Sequence, residues 1–308
     1  VAVFEGLKMN STLTTLRLKV ALTTLQLQLP REGSALGGAA GEALGEALKT
    51  NTALTTLQLC DMSEAAAEAV FEGLKMNSTL TTLQKFGRGD LGDAACEALG
   101  EALKTNTALT TLALWEQSDA AAEAVFEGLK MNSTLTNLTL GSGRLGDAAG
   151  AALGEALRTN TALTTLLLFD MMRGLSDAAA EAVFEGLKMN RTLTTFGPGD
   201  LGDAAGEALG EALKTNTVLT TLQLCDMSAA AAEAVFEGLK MNRTLTTLQK
   251  FGSGTLGDAA GEALGEVLKT NTTLTSLDFA CDSDLRWSKG AAEAVIEGLK
   301  MNSTLTTF

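Results

Sequence analysis

Short runs in which apolar and polar residues alternate recur along the whole chain. In the run LTTLQL at 54–59, the leucines at the fourth and sixth positions flank a polar residue, and this period of two predicts a strand with one buried face. A loop containing Gly or Asp follows each run, and then an Ala-, Leu- and Glu-rich stretch that ends in Asn. Its apolar residues recur at helical spacing, as Leu99 and Leu103 do. Each unit therefore predicts one strand and one helix.

These units recur about every 28 residues, which is the spacing of a repeat architecture. The motif LTTL, or a near variant of it, begins at Leu13, Leu22, Leu54, Leu80, Leu109, Leu135, Leu163, Leu193, Leu219, Leu245, Leu274 and Leu305. Two kinds of helix alternate, a Gly-containing one at 201–216 and a bulkier one at 65–77. One unit cannot bury its own apolar faces, whereas stacked units share a continuous core. The pattern predicts an α/β repeat solenoid with a parallel sheet on one side and helices on the other.

The chain also contains a longer duplication and an irregular start. Residues 51–106 match residues 216–271 at all but seven of 56 positions. Leu13 and Leu22 are too close for a helix to lie between them, so we expect residues 13–37 to be irregular. Because a helix motif opens the chain at Val1 and a strand motif closes it at Phe308, we expect a single repeat domain over 1–308 that is truncated at both ends.

Composition argues against catalysis and against several classes of partner. The chain contains no His, which removes the commonest general base and metal ligand, so we expect no enzyme, metal site or cofactor. The net charge of -14 disfavours nucleic acid and anionic membranes as partners. No apolar run reaches the roughly 18 residues that span a bilayer. Four cysteines without close pairs favour a reducing, cytoplasmic compartment.

The succession of LxxLxL, a loop with LGD and a helix ending in KTNTALTTL resembles the ribonuclease-inhibitor-like class of leucine-rich repeats, which also occurs in NLR-type immune receptors. The resemblance covers almost the whole chain and implies a horseshoe of about 11 repeats, with parallel strands on a concave, protein-binding face and helices on a convex face. The loop asparagine of that family is replaced, by Met62 in one unit, so we expect no asparagine ladder.

Two lysines, Lys85 and Lys250, fall on strand positions that should point inward. Burying a charge without a partner is costly. We therefore expect the strand to end early or to bulge at each lysine, with Phe86 and Phe251 turned inward instead.

The resemblance favours a non-catalytic protein–protein interaction scaffold, whose partner the acidic charge suggests to be basic. Candidate contact residues project from the concave face between and after the inward leucines: Gln58, Cys60, Trp115, Thr139, Leu167, Phe169, Gln223, Cys225 and Asp278. Trp115 and Phe169 are of the type found at binding hot spots, although local packing into the strand-to-helix loop is an alternative for both. The longest loop, at 280–289, adds Arg286 and Trp287 as a second candidate site.

Other functions remain open from the sequence. A GTPase-activating solenoid or the sensor region of an NLR-type receptor would share this repeat class, and a degenerate array would share its pattern. The motif GxGxxG, which begins at Gly87, Gly141, Gly197 and Gly252, would suit a dinucleotide enzyme. Its recurrence favours a repeat-loop glycine instead.

Glycosylation sequons are also frequent in the chain. Eight N-x-S/T sequons occur, at Asn10, Asn77, Asn132, Asn137, Asn190, Asn242, Asn271 and Asn302. Seven of these asparagines end a helix just before a strand, where asparagine is a common cap. We expect these seven to be caps rather than glycan acceptors.

Overall fold

A computed structural model describes residues 24–26, 36–59, 61–86, 91–142, 145–169, 174–251, 254–280 and 285–308. The chain divides into two compact units, Val1–Gly143 and Arg144–Phe308. Strands and helices alternate along the sequence in both units. Most of the expected irregular segment at 13–37 lies outside the described residues, apart from a short strand at Thr24–Gln26 and the residues from Leu36 onward.

The first unit contains five described strands and four described helices. In chain order they are β1 (Thr24–Gln26), α1 (Gly38–Thr50), β2 (Thr56–Leu59), α2 (Glu64–Met76), β3 (Thr82–Lys85), α3 (Asp93–Thr105), β4 (Thr111–Gln117), α4 (Asp119–Leu129) and β5 (Asn137–Ser142).

The second unit continues the same alternation. Its described elements are α5 (Asp147–Thr159), β6 (Thr165–Phe169), α6 (Asp177–Met189), β7 (Thr195–Gly197), α7 (Asp203–Thr215), β8 (Thr221–Leu224), α8 (Ala229–Met241), β9 (Thr247–Phe251), β10 (Gly254–Leu256), α9 (Asp258–Thr270), β11 (Ser276–Ala280), β12 (Leu285–Trp287) and α10 (Lys289–Met301).

The strands of each unit pair in parallel, and equivalent positions of the repeats stay in register. In the first unit one inward column runs through Leu25, Leu57, Leu83, Leu112 and Leu138. In the second unit the same column is Leu166, Phe196, Leu222, Leu248 and Leu277, and all ten side chains are buried. Side chains alternate between the two faces of a strand, so these columns place the core between sheet and helices.

Neighbouring helices pack side by side, and the closest backbone approaches join an odd-numbered helix to the even-numbered helix that follows it. In α1 and α2 a Cβ added at Gly45 would lie 2.2 Å from Ala69 O, and one added at Gly73 would lie 2.4 Å from Gly45 O. Only glycine permits such a close approach of two backbones. Ser228 Oγ, which caps α8, also donates to Asp203 Oδ1 of α7 at 2.5 Å. The pairing explains why two kinds of helix alternate in the sequence.

Asparagine side chains at the helix ends connect each repeat to the one before it. Asn77 Nδ2 donates to Leu48 O at 2.7 Å and to Asn51 O at 3.2 Å, while its Oδ1 accepts from the backbone N–H groups of Thr79 and Leu80. The amide thus satisfies carbonyls that the end of the preceding helix leaves unpaired. These asparagines form a ladder at the helix ends, which is distinct from the ladder of loop asparagines that the sequence lacks at positions such as Met62.

Both inward lysines are buried, and neither strand bulges to avoid them. Lys85 is 1% exposed and pairs in register with Leu59 and Leu114, while Lys250 is 4% exposed. The ladder even continues beyond Lys85, because Phe86 N–H donates to Leu59 O at 2.8 Å. Phe86 is 43% exposed, so the expectation that it turns inward was wrong.

Candidate protein-binding face

The outward side of each sheet, which we call the strand face, is built from the polar positions of LTTLQL. The first threonine of the motif forms a hydrogen bond to the backbone of the preceding repeat: Thr81 Oγ1 donates to Thr55 O at 3.1 Å. The second threonine and the residue two positions later project outward, and they are half-buried in most repeats. The face therefore presents columns of hydroxyl and amide groups on a rigid parallel ladder.

In the first unit, the strand face contains a row that starts at a predicted contact residue. Gln58, Gln84, Ala113 and Thr139 occupy one register row of β2–β5. Gln58 Nε2 donates to Gln84 Oε1 at 2.6 Å. Gln58 and Thr139 thus lie in the same row, separated by two strands. Cys60, another predicted contact, lies outside the described residues.

A stacked aromatic pair lies beside this row. The rings of Phe86 and Trp115 are 6.3 Å apart between centroids and only 17° from parallel. Trp115 is half-buried, and Phe86 is the more exposed ring. Trp115 was predicted from the sequence, whereas Phe86 was missed, although strict alternation from Leu83 places it outward. The pair forms an aromatic patch on a face that is otherwise mostly polar in this unit.

The second unit repeats the glutamine contact in a different setting. Gln223 Nε2 donates to Gln249 Oε1 at 3.0 Å, and the same row continues to Asp278. Two predicted residues, Gln223 and Asp278, are thereby placed in one row on either side of Gln249. Cys225, a third predicted residue, follows Leu224 at the end of β8 and is half-buried.

At β6 of the second unit the face is apolar. Leu167 and Phe169 both project outward and are half-buried. Leu167 is in register with Gly197, where an added Cβ would lie 3.1 Å from Leu167 Cδ2. The glycine therefore leaves room that the leucine side chain occupies in part.

Arg286 and Trp287, the two contact residues predicted in the longest loop, are both involved in local structure. Trp287 is half-buried and meets Phe279 edge to face, with ring centroids 5.2 Å apart. Phe279 also meets Phe308 at 6.3 Å. Arg286 lies on β12, which pairs with β10, so its backbone is part of a second short ladder. Local packing thus accounts for much of the Trp287 surface.

Charge is distributed unevenly between strands and helices. In strands β1–β9 and β11, as described, the basic residues are Lys85 and Lys250, and both are buried. The helices carry exposed Glu–Lys pairs such as Glu101 and Lys104, whose Nζ donates to Glu101 Oε1 at 2.6 Å. This hydrogen bond and the positive charge of Lys104, together with Lys75, hold the pKa of Glu101 below its ordinary value of 4.5. The strand face, as far as it is described, therefore has no exposed cation.

The described residues contain neither a metal-ligand cluster nor a membrane-spanning helix. No group of three or more Cys, Asp and Glu side chains is arranged to hold a metal ion there. None of the helices in that part of the chain has the length and apolar character needed to cross a membrane.

Parallel strands with inward leucines, each followed by a helix, define an α/β solenoid of the leucine-rich-repeat type. No protein-family model matches the chain, and no curated protein matches it. Among the solved structures, 87 chains match, and one of them comes from a crystal structure of the Rad7 and Elc1 complex in yeast. That alignment covers 99% of this chain and 77% of the other, with a TM-score of 0.46 and 17% identity. A likeness of this degree identifies neither a partner nor an activity.

Proposed function

We propose that the chain is a non-catalytic protein-interaction module whose strand face binds a basic protein partner. The observation that carries the proposal is the stacked pair of Phe86 and Trp115, in which Phe86 is 43% exposed and Trp115 half-buried on the outward side of the sheet. Aromatic residues held in place before binding are the typical anchors of interfaces, because little conformational entropy is lost when they bind.

The basic character of the partner follows from the charges. The net charge is -14, and the described strand face has no exposed cation that would repel a positive segment. Arginine and lysine also bind favourably over aromatic rings, with a gain of about 0.5–2 kcal/mol per contact. Long-range attraction should raise the association rate, and salt should lower it.

We also propose that the repeats are of the ribonuclease-inhibitor-like type. The support is a full α-helix of 13 residues in nearly every repeat, joined to strands at a period of about 28 residues. A reducing, cytoplasmic compartment is proposed on a separate ground, the four cysteines without close pairs in the sequence. The NLR-type receptor and the GTPase activator remain functional alternatives from the sequence, and no described residue favours either one.

The test is a pull-down followed by affinity measurement on the recovered partner. Trp115→Ala should weaken binding by about 2 kcal/mol, roughly 30-fold in affinity, since hot-spot residues cost at least this much. Phe251→Ala is the matched control, because Phe251 occupies the position equivalent to Phe86 but has Ala280 rather than a tryptophan beside it. Circular dichroism should confirm that both variants fold.

The proposal would be overturned by one pattern of results. If Trp115→Ala and Phe169→Ala leave the affinity unchanged while charge reversal of an exposed helix glutamate such as Glu97 abolishes it, the helices bind the partner instead. Loss of binding at 0.5 M salt, where the Debye length is only about 4 Å, would support the electrostatic part.

A further inference from the structure

The sequon asparagines form buried bonds that a glycan would break. Asn77 is 4% exposed, and both hydrogens of its Nδ2 are used, in bonds to Leu48 O and Asn51 O. The Nδ2 atom is the one to which a sugar is attached in N-glycosylation. It lies between the end of one helix and the start of the next strand, where no sugar could fit.

Five other sequon asparagines make the first of these contacts. Each Nδ2 donates to the carbonyl of a leucine in the helix before, at 2.7–3.0 Å, in Asn132, Asn190, Asn242, Asn271 and Asn302. The first four of these are 2–5% exposed, and Asn302, in the last described repeat, is half-buried. The expectation that these six asparagines act as caps is confirmed by their contacts.

In three of the sequons the third residue also has a structural task. Thr79 Oγ1 donates to Leu54 O of the preceding strand at 3.1 Å, and Thr134 and Thr304 make the equivalent bond. Most of the alternate repeats, unlike the one that ends at Asn271, keep the asparagine without the threonine: Asn106 makes the same asparagine contacts but is followed by Thr-Ala, which is not a sequon. An asparagine cap and a threonine bond therefore account for the motif at Asn77, Asn132 and Asn302.

We infer that this chain can fold only in a compartment without oligosaccharyltransferase, and that Asn137 alone among its described sequons could tolerate a glycan. The enzyme would join Nδ2 of each asparagine to the anomeric carbon of a lipid-linked oligosaccharide. The bond from that carbon to the lipid pyrophosphate breaks, the pyrophosphate leaves, and the amide nitrogen loses one proton. Transfer occurs on the unfolded chain, so each modified cap would then have to be buried.

Asn137 differs from the caps in its place in the fold. It begins β5 on the strand face, and its side chain is exposed. A glycan there would project away from the core, although it would cover the row that contains Thr139.

The experiment compares three forms of the full chain in eukaryotic cells. The first is the wild type in the cytosol, and the second is the wild type directed to the endoplasmic reticulum by a signal peptide. The third is directed in the same way but has the cap sequons removed by replacing the third residue with alanine, as the alternate repeats do naturally: Thr12→Ala, Thr79→Ala, Thr134→Ala, Thr192→Ala, Thr244→Ala, Thr273→Ala and Thr304→Ala. Glycan occupancy is measured by mass spectrometry, and folding by circular dichroism and urea unfolding.

We expect the directed wild type to carry glycans at the cap asparagines and to lose its cooperative unfolding transition. The sequon-free form should fold and carry one glycan, at Asn137. Tunicamycin, which blocks synthesis of the sugar donor, should restore folding of the directed wild type without any substitution, so the test does not depend on the stability of the variant.

Two results would overturn the inference. One is a directed wild type that carries glycans at Asn77 and its equivalents yet unfolds like the cytosolic form. The other is a directed wild type that folds with its cap asparagines unmodified, since the chain would then be able to fold in a compartment that contains the transferase.

Discussion

The two copies of the duplicated segment share their scaffold contacts but differ on the strand that follows. Both copies keep the glutamine contact, Gln58 with Gln84 and Gln223 with Gln249. On the next strand the first copy has Ala113 and Trp115, whereas the second has Asp278 and Ala280 at the equivalent positions. Contacts that hold the stack together were thus retained, while outward positions, where a substitution costs little folding energy, diverged.

The helix-end asparagines should have equal effects in the two copies. Asn106 donates to Leu74 O and Asn77 O, both at 2.8 Å, and Asn271 makes the equivalent bonds at 3.0 and 3.1 Å. Replacing either with alanine leaves buried backbone groups unpaired, so each should lower the free energy of unfolding by about 3 kcal/mol. Urea unfolding measures this, and a loss in only one copy would show that the copies are not equivalent.

The helix pairs should differ in their tolerance of a side chain. Cys96 is buried and accommodated in α3, but a Cβ added at the equivalent position in α9, Gly261, would lie 2.2 Å from Ala291 Cα. Gly261→Cys should therefore destabilise the protein by about 1–3 kcal/mol through overpacking. Cys96→Gly should cost about 1 kcal/mol, mainly in helix propensity. Equal thermal shifts for the two variants would contradict the difference in packing.

Lys250 should be replaceable with a gain in stability. Its Nζ is buried and has no hydrogen-bond partner, and its neighbours in register are Leu224 and Phe279. Lys250→Met keeps the length of the side chain and removes the desolvated charge, so the free energy of unfolding should rise by about 1–2 kcal/mol. The same change at Lys85 gives the comparison for the first copy. A fall in stability on Lys250→Met would mean that the ammonium group is better solvated than its burial indicates.

The smallest effect is expected at the exposed Glu–Lys pairs. The pKa of Glu266, like that of the equivalent Glu101, lies below 4.5 because a lysine three residues later donates a hydrogen bond to it. A carboxyl whose pKa is lower in the folded state stabilises the fold above its unfolded pKa, and this contribution is lost as the pH falls through the folded pKa. Glu101→Gln and Glu266→Gln should each flatten the loss of stability below pH 4.5 by a similarly small amount, because exposed ion pairs contribute little to stability. Unfolding measured from pH 7 to pH 3 tests both.

Phe86 shows why part of the candidate site escaped prediction. The sequence places Lys85 inward, and the known cost of burying a charge suggested that the strand would turn to avoid it. Hydrogen bonds to the strands on both sides fix the register of Lys85 against Leu59 and Leu114, so a turn would break two ladders. The strand therefore keeps its register through Lys85, and Phe86 points outward beside Trp115.

The sequence by itself determined the repeat, the alternation of strand and helix and the inward leucine columns, because these depend on periods of two and about 3.6 residues that are local. It also predicted the asparagine caps. Only the tertiary structure decided that Asn77 Nδ2 reaches Leu48 O, 29 residues away, and that Trp115 stacks on Phe86. These contacts join different repeats, so they depend on how closely neighbouring backbones approach. That distance is set by packing of the whole stack, which no single repeat encodes.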